Sequence, residues 1–341
     1  MTSLAWPAVS AVMPVRNEER HLRAAVEGVL AQDYPGELEL VVSVGPSTDR
    51  TRAIADGLAA ADPRVRVVDN PTGRTPAGLN IAIGAARHDI LVRVDGHGEL
   101  APGYIATAVE TLERTGAANV GGLMDAQGTS PFEQAVAVAY TSRIGLGNAS
   151  FHLQDSPEGP APTVFLGVFR RDALEAVGGF DETMWRAQDW ELNHRLRRSG
   201  EHVWLNPALR VTYRPRSNLK ALTRQFYETG RWRREVIRRY PETASVRYLA
   251  PPAVVAGLAG GTLLGLAGAV APTGPWRWLR LGWLAPVLYA VAVTVGSVTM
   301  RRPMPAEVRA RLPLVLMVMH VCWGAGFLRG LGRDRPGRAD R

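Results

Sequence analysis

The chain has 341 residues, enough for one large domain with an appendage or for two small domains. Its 40 basic and 32 acidic residues leave a net charge of +8, carried almost wholly by arginine because Lys220 is the only lysine. That balance suits anionic lipid or a phosphorylated substrate, and with no arginine–aromatic recognition motif it sets nucleic acid aside as a partner. The single cysteine, Cys322, excludes an intrachain disulfide and a zinc cluster, and no basic-then-apolar segment opens the chain, which predicts no signal peptide.

The first part alternates strand and helix patterns. Residues 9–13 are a short apolar run ended by Pro14. Residues 18–31 have helical spacing, with Leu22, Val26, Val29 and Leu30 on one side. Residues 38–44 read as a strand, and Ser47 or Thr48 is positioned to cap a helix running to about residue 60. A strand at 65–68, a helix at 76–86 and a strand at 90–94 follow. This βαβαβ order predicts a mostly parallel sheet with helices on both faces. Such sheets take ligands beyond the carboxyl ends of their strands. Pro14-Val15-Arg16-Asn17-Glu18 follows the first strand there, and Asp95-Gly96-His97 follows the fourth.

The middle is less regular. Residues 131–144 read as helix, 145–162 as a long loop, 163–169 as a strand, and 189–199 as a helix with Leu192 and Leu196 one turn apart. Residues 219–240 form a basic helix or helix pair carrying Arg224, Arg231, Arg233, Arg234, Arg238 and Arg239. Its aromatics, Phe226, Tyr227, Trp232 and Tyr240, suit a lipid headgroup boundary.

Apolar stretches at 249–275, 281–300 and 312–328 follow, and roughly 20 apolar residues cross a bilayer. They predict transmembrane helices at about 249–272, 281–300 and 312–328. The domain plan is then residues 1–247 with a basic interfacial helix near 218–240, a helical anchor over 248–330, and a basic tail over 331–341. The arginines before the first span, and Arg301, Arg302, Arg309 and Arg311 after the second, point to the cytoplasm. The tail carries Arg329, Arg333, Arg335, Arg338 and Arg341, so either the third segment is re-entrant or interfacial, or a charged tail crosses.

The ordered pieces Val12-Met13-Pro14-Val15-Arg16-Asn17-Glu18-Glu19, Ser47-Thr48-Asp49, Leu79-Asn80, Asp95-Gly96-His97, Gly178-Gly179-Phe180-Asp181-Glu182 and Gln188-Asp189-Trp190-Glu191-Leu192 resemble family 2 glycosyltransferases, over residues 9–232. The Asp-x-His at Asp95, the run Gln188 to Asn193, and Tyr213-Arg214-Pro215-Arg216 are similar to the succinoglycan-type exopolysaccharide glucosyltransferases within it. The resemblance implies an α/β fold of the GT-A type, a Rossmann-like, mostly parallel sheet flanked by helices, followed here by the C-terminal helical membrane anchor. It implies a cell-membrane, multi-pass enzyme with its catalytic domain in the cytoplasm.

By the same resemblance, Asp95 and His97 hold a divalent cation, Mn2+ or Mg2+, that stabilises the leaving diphosphate. Mixed oxygen and nitrogen ligation favours manganese; a polar turn with a hydrogen-bonded His97 is the plainer alternative. Asp189 is the candidate general base, taking the proton of the attacking hydroxyl, with an N-cap role as its alternative; Gln188 replaces the family's usual Glu. Pro14, Arg16 and Glu18 line the nucleotide cleft. Arg74 precedes a helix N-terminus suited to an anion, or is a surface arginine. Asn80 joins the substrate-binding set. Val44-Gly45-Pro46 stands where the family carries an acidic residue for the base of a UDP-sugar, and Asp49 either serves the site or caps a helix. Gln225 with Arg231-Trp232 is similar to the family's Gln-x-x-Arg-Trp with a longer spacer, and Arg214 and Arg216 add phosphate contacts. Trp185 and Trp190 can stack on a sugar or simply pack.

The expected reaction is an inverting transfer from a nucleotide sugar, a UDP-sugar first among them, to a lipid-linked saccharide beside membrane lipids. With no span ahead of the catalytic domain, single additions are expected over processive synthesis. The rivals are a polyprenyl-phosphate sugar synthase and a non-catalytic membrane-bound scaffold that holds glycan or nucleotide.

Overall fold

A computed structural model describes residues 6–270 and 273–332. The basic tail beyond residue 332, with Arg333, Arg335, Arg338 and Arg341, and residues 271–272 of the first apolar stretch lie outside the described residues. The strands are β1 (Val9–Val15), β2 (Leu38–Val44), β3 (Val65–Asp69), β4 (Ile90–Arg93), β5 (Glu99–Leu100), β6 (Asn119–Ala126), β7 (Gly159–Pro160), β8 (Phe165–Arg170) and β9 (Val203–Tyr213). The helices are α1 (Leu22–Leu30), α2 (Thr51–Ala61), α3 (Thr75–Ala85), α4 (Tyr104–Thr115), α5 (Pro131–Tyr140), α6 (Arg143–Leu146), α7 (Arg171–Ala176), α8 (Gln188–Arg198), α9 (Leu219–Arg239), α10 (Val246–Val270), α11 (Leu284–Val298) and α12 (Ala306–Arg329).

The chain divides into two compact units, residues 1–125 with 150–213, and residues 126–149 with 214–341. The first unit holds the sheet, in the order β3-β2-β1-β4-β8-β6-β9-β5, with β7 beside β9. The expected parallel half is there: β1 pairs in parallel with β2 and β4, and β2 with β3. From β8 onward the pairing turns antiparallel, β4 with β8 and β6 with β8, so the sheet is mixed rather than mostly parallel.

Alternation along the strands builds two cores. Val9, Ala11, Met13 and Val15 face Leu22, Val26 and Val29 of α1 and Ile105, Val109 and Leu112 of α4. Val12, Val41 and Leu91 face the other way, to Leu79 and Ala82 of α3, Leu174 of α7, and Leu192 and Leu196 of α8. Gly122 in β6 is required by close approach, because a Cβ there would stand 1.8 Å from the Leu209 carbonyl oxygen of β9.

In the second unit, α10, the stretch from Pro275 through α11, and α12 are each long and apolar enough to cross a membrane. Leu263, Val287, Leu288, Val291 and Val295 are exposed, a density of bare apolar side chains that water does not tolerate. Helix α12 is continuous over its 24 residues. It crosses α9 at glycines: a Cβ on Gly230 would stand 2.0 Å from the Trp323 oxygen, and one on Gly326 2.0 Å from the Tyr227 oxygen. Gly230→Ala must therefore spread the pair. A loss of about 1–3 kcal/mol is expected, read as a lower melting temperature in detergent, with Gly230→Leu worse.

Several arginines of this unit make contacts within the fold. Phe226 and Trp232 are buried within this unit rather than lying at a headgroup boundary, because α9 turns that face to α12. Arg231 donates to the carbonyls of Gly330 and Leu331, and Arg234 to that of Phe327, at the C-terminal end of α12. Arg309 donates to Ser297, Val298 and Met300 at the end of α11. These guanidinia satisfy the carbonyls that a helix end leaves open, where the helix dipole favours positive charge. Arg238 and Arg239 pair with Glu235.

Candidate active site

β1 and β4 run side by side with Val12 opposite Arg93. Their outgoing loops, Pro14 to Glu18 and Asp95 to His97, therefore leave the sheet together at its carboxyl end. One cleft takes in Pro14, Arg16, Glu18, Arg93, Asp95, His97 and Gln188, with Asn70, Gly73 and Thr75 on the β3 side.

The loop after β1 is fastened to the loop after β2. Asn17 takes the left-handed conformation at φ 55°, which asparagine tolerates. The Thr48 amide donates to its side-chain oxygen at 2.8 Å, and its own amide donates to Ser47 Oγ at 3.1 Å. The Glu18 amide donates to Thr51 Oγ1 at 2.7 Å and the Glu19 amide to Asp49 Oδ2 at 3.2 Å. Asp49 also accepts from the Thr51 amide and hydroxyl, so it ties the loops together at the start of α2, whose N-cap is Arg50 with no side-chain cap, so Ser47 and Thr48 do not cap it. The Thr51 hydroxyl, more than any other contact, holds the Asp49 carboxyl below its ordinary range. Arg16 donates from Nε to the Pro46 carbonyl at 3.1 Å along the cleft wall.

His97 Nδ1 lies 3.0 Å from Glu18 Oε1. With Nδ1–H donated to that carboxylate, Nε2 carries the lone pair, an arrangement common for metal-binding histidines. Asp95 and His97 offer an oxygen and a nitrogen donor, a set that fits a divalent cation. Among the described residues no group of three His, Cys, Asp or Glu side chains converges on one point. A cation here would therefore draw further ligands from a bound phosphate.

Asp189 is the second residue of α8, and the N-cap is Ala187 with no side-chain cap. The capping alternative therefore fails. The Asp189 carboxylate is instead ion-paired with Arg93, whose other terminal nitrogen lies 3.1 Å from Asp95 Oδ1. The first turn of a helix also favours a carboxylate. Ala187 carries φ 59°, so the entry to α8 is strained at the cleft, by about 1 kcal/mol for a non-glycine residue.

Asn80 and Arg74 of the first unit do not line this cleft. Asn80 is a latch: it donates to the Phe180 carbonyl at 2.9 Å and to Glu182, and accepts from the Phe180 amide. All of these bonds hold the Gly178–Glu182 loop. Arg74 stacks on Trp185 at 4.4 Å, with the guanidinium against the ring face rather than at the mouth of the helix. Trp190 is buried and stacked on His194. Arg214, Arg216, Gln225, Arg231 and Trp232 belong to the second unit, where Arg216 donates to Gln225 at 3.2 Å. Arg231 donates to the Gly330 and Leu331 carbonyls there, and Trp232 is buried.

Comparisons with known proteins give the family and the fold. The model for Glycosyl transferase family 2 matches residues 10–178. The succinoglycan biosynthesis protein ExoA of Rhizobium meliloti (strain 1021) is 34% identical, over 94% of this chain and 94% of its own length. The chain belongs to glycosyltransferase family 2. This family 2 glycosyltransferase is also 21% identical to a dolichyl N-acetyl-alpha-D-glucosaminyl phosphate glucuronosyltransferase of Methanococcus voltae, over 95% of this chain and 97% of that protein. Its fold matches the mannosyltransferase PcManGT from Pyrobaculum calidifontis, solved with GDP-Man and Mn2+, at a TM-score of 0.54 and 20% identity, over 88% and 89% of the two chains. The fold is thus of the GT-A type and the protein is a glycosyltransferase.

Arg93 is the residue that motif reading passes over. Its signal was present: an arginine inside the apolar strand run Ile90-Leu91-Val92-Arg93-Val94, where burial demands a partner for the charge.

Proposed function

We propose that this glycosyltransferase moves a sugar, with inversion and with a divalent cation, from a nucleotide sugar to a lipid-linked saccharide in exopolysaccharide assembly. The observation that carries the reading is the shared guanidinium of Arg93, which touches Asp95 and Asp189 at once and so brings the two carboxylates together beside the cleft.

Asp95 and His97 would hold the cation, with Glu18 orienting the imidazole through Nδ1. When bound, the cation neutralises the charge that gathers on the departing diphosphate. Asp189 accepts the proton of the acceptor hydroxyl as its oxygen attacks the anomeric carbon. Arg16 and Gln188 line the cleft beside the donor. Mn2+ with GDP-Man in the Pyrobaculum enzyme supports the cation and the nucleotide sugar, and the names of the Rhizobium and Methanococcus relatives support a polysaccharide pathway and a lipid carrier. A UDP-sugar remains the first donor to try.

The apolar helices would anchor residues 248–330 in the cell membrane, with the residue 1–247 catalytic domain in the cytoplasm. Trp276, Trp278 and Trp283 are exposed beside Arg277 and Arg280, a pattern that suits a membrane–water boundary. Such a tether keeps a soluble cleft close to a lipid-borne acceptor.

The test is a transfer assay. Protein purified in detergent is given radiolabelled nucleotide sugars one at a time, with lipid extract as acceptor and with or without Mn2+. Mn2+-dependent label in the organic phase from one donor is expected. No incorporation from any donor would favour a binding protein without turnover.

A further inference from the structure

Arg93 is buried, at 4% exposure. It occupies the end of β4 between Val92 and Val94, where the strand pattern calls for an apolar side chain. Taking a guanidinium out of water there is unfavourable unless carboxylates offset it. Asp189 and Asp95 do so, and the guanidinium also lies 5.9 Å from the Phe180 ring centroid, beside the loop that leads to α8. The side chain is thus confined by two charges and a ring, and its fork is divided between two elements remote in sequence.

We propose that Arg93 is a positioning residue with two linked effects: it holds the Asp189 carboxylate at the cleft, and by occupying Asp95 it competes with the cation for that carboxylate. The inference rests on the reading of Asp189 as base and Asp95 as cation ligand. Arg93 acts through these carboxylates and touches no reacting atom. A planar fork meets two carboxylates from fixed directions, which a lysine ammonium does not reproduce.

The two effects have opposite signs, and a purely structural role would not produce that pair. In Arg93→Met, Asp189 loses its anchor and kcat is expected to fall about 10²-fold, the scale of a misplaced catalytic group. Donor KM should stay within about threefold, because the interaction is made to the base rather than to the donor. Mn2+ binding without donor, followed by the electron paramagnetic resonance of free Mn2+, should tighten by about threefold or more, because a positive charge beside Asp95 is gone. Arg93→Lys keeps the charge, so its Mn2+ affinity should stay near that of the parent while only part of kcat returns. In an Asp189→Asn background, Arg93→Met should change kcat no further.

A kcat within about twofold of the parent in Arg93→Met, weaker Mn2+ binding, or additive losses in the double variant overturns the inference. If Arg93→Met does not fold, Arg93→Lys decides, and a parental kcat there contradicts the proposal. Asp189→Asn with a parental rate overturns the base assignment instead, and is thereby separable.

Discussion

Replacing Asp189 by asparagine is expected to lower kcat for sugar transfer by about 10²–10⁴-fold, the range for losing a positioned general base. An acceptor hydroxyl is a very weak acid, and its proton must leave as the new bond to carbon forms. The amide is nearly isosteric with the carboxylate but cannot accept that proton. Nucleotide binding should persist, because Asp189 meets the cleft through Arg93 and lies at the start of α8, apart from the loop of Pro14 to Glu18. Initial rates against donor concentration, with calorimetric titration of the nucleotide, check both halves. A parental kcat in this variant would leave Asp189 as a structural partner of Arg93. A polyprenyl-phosphate acceptor, already ionised, would also leave the rate little changed, so the acceptor from the transfer assay must be used.

Chelation of divalent cations is expected to stop transfer, and Mn2+ to restore it. Asp95→Ala should lower kcat by about 10²–10³-fold at saturating donor, comparable to removing one stabilising group from a developing anion. It should also raise the Mn2+ concentration needed for half-maximal rate. His97→Ala should have the smaller effect, because its imidazole is half exposed while the Asp95 carboxylate is more enclosed. Glu18→Gln tests the orienting bond from the histidine. If activity survives chelation in full, the Asp95–His97 pair is a polar turn and diphosphate departure is assisted by other groups.

The parallel half of the sheet was legible because its strands are short, apolar and separated by helices of regular period. The antiparallel half was not. β6 contains Gly121 and Gly122, which weaken any strand pattern, yet they are there because β8 and β9 approach too closely for a side chain. β9 carries Asn206 and Pro207 in its middle and so resembles a turn. The candidate residues that follow β1 and β4 line one cleft because they lie on loops at strand ends, where such sheets place chemistry. The latch made by Asn80 was not legible, because a polar residue on a helix can serve a neighbouring loop as readily as a ligand. Arg93 was missed because motif reading begins at Asp95, whereas the cost of burying a charge applies two residues earlier.

Diffraction data collected at the manganese edge from crystals soaked with Mn2+ and a nucleoside diphosphate address the cation and the base together. An anomalous peak within about 2.0–2.3 Å of an Asp95 oxygen and a His97 nitrogen, with diphosphate oxygens completing the shell and Asp189 across the vacated sugar position, is the expected result. A peak bound elsewhere, or diphosphate held with neither Asp95 nor His97 near it, would contradict the assignment of this cleft as the place of transfer.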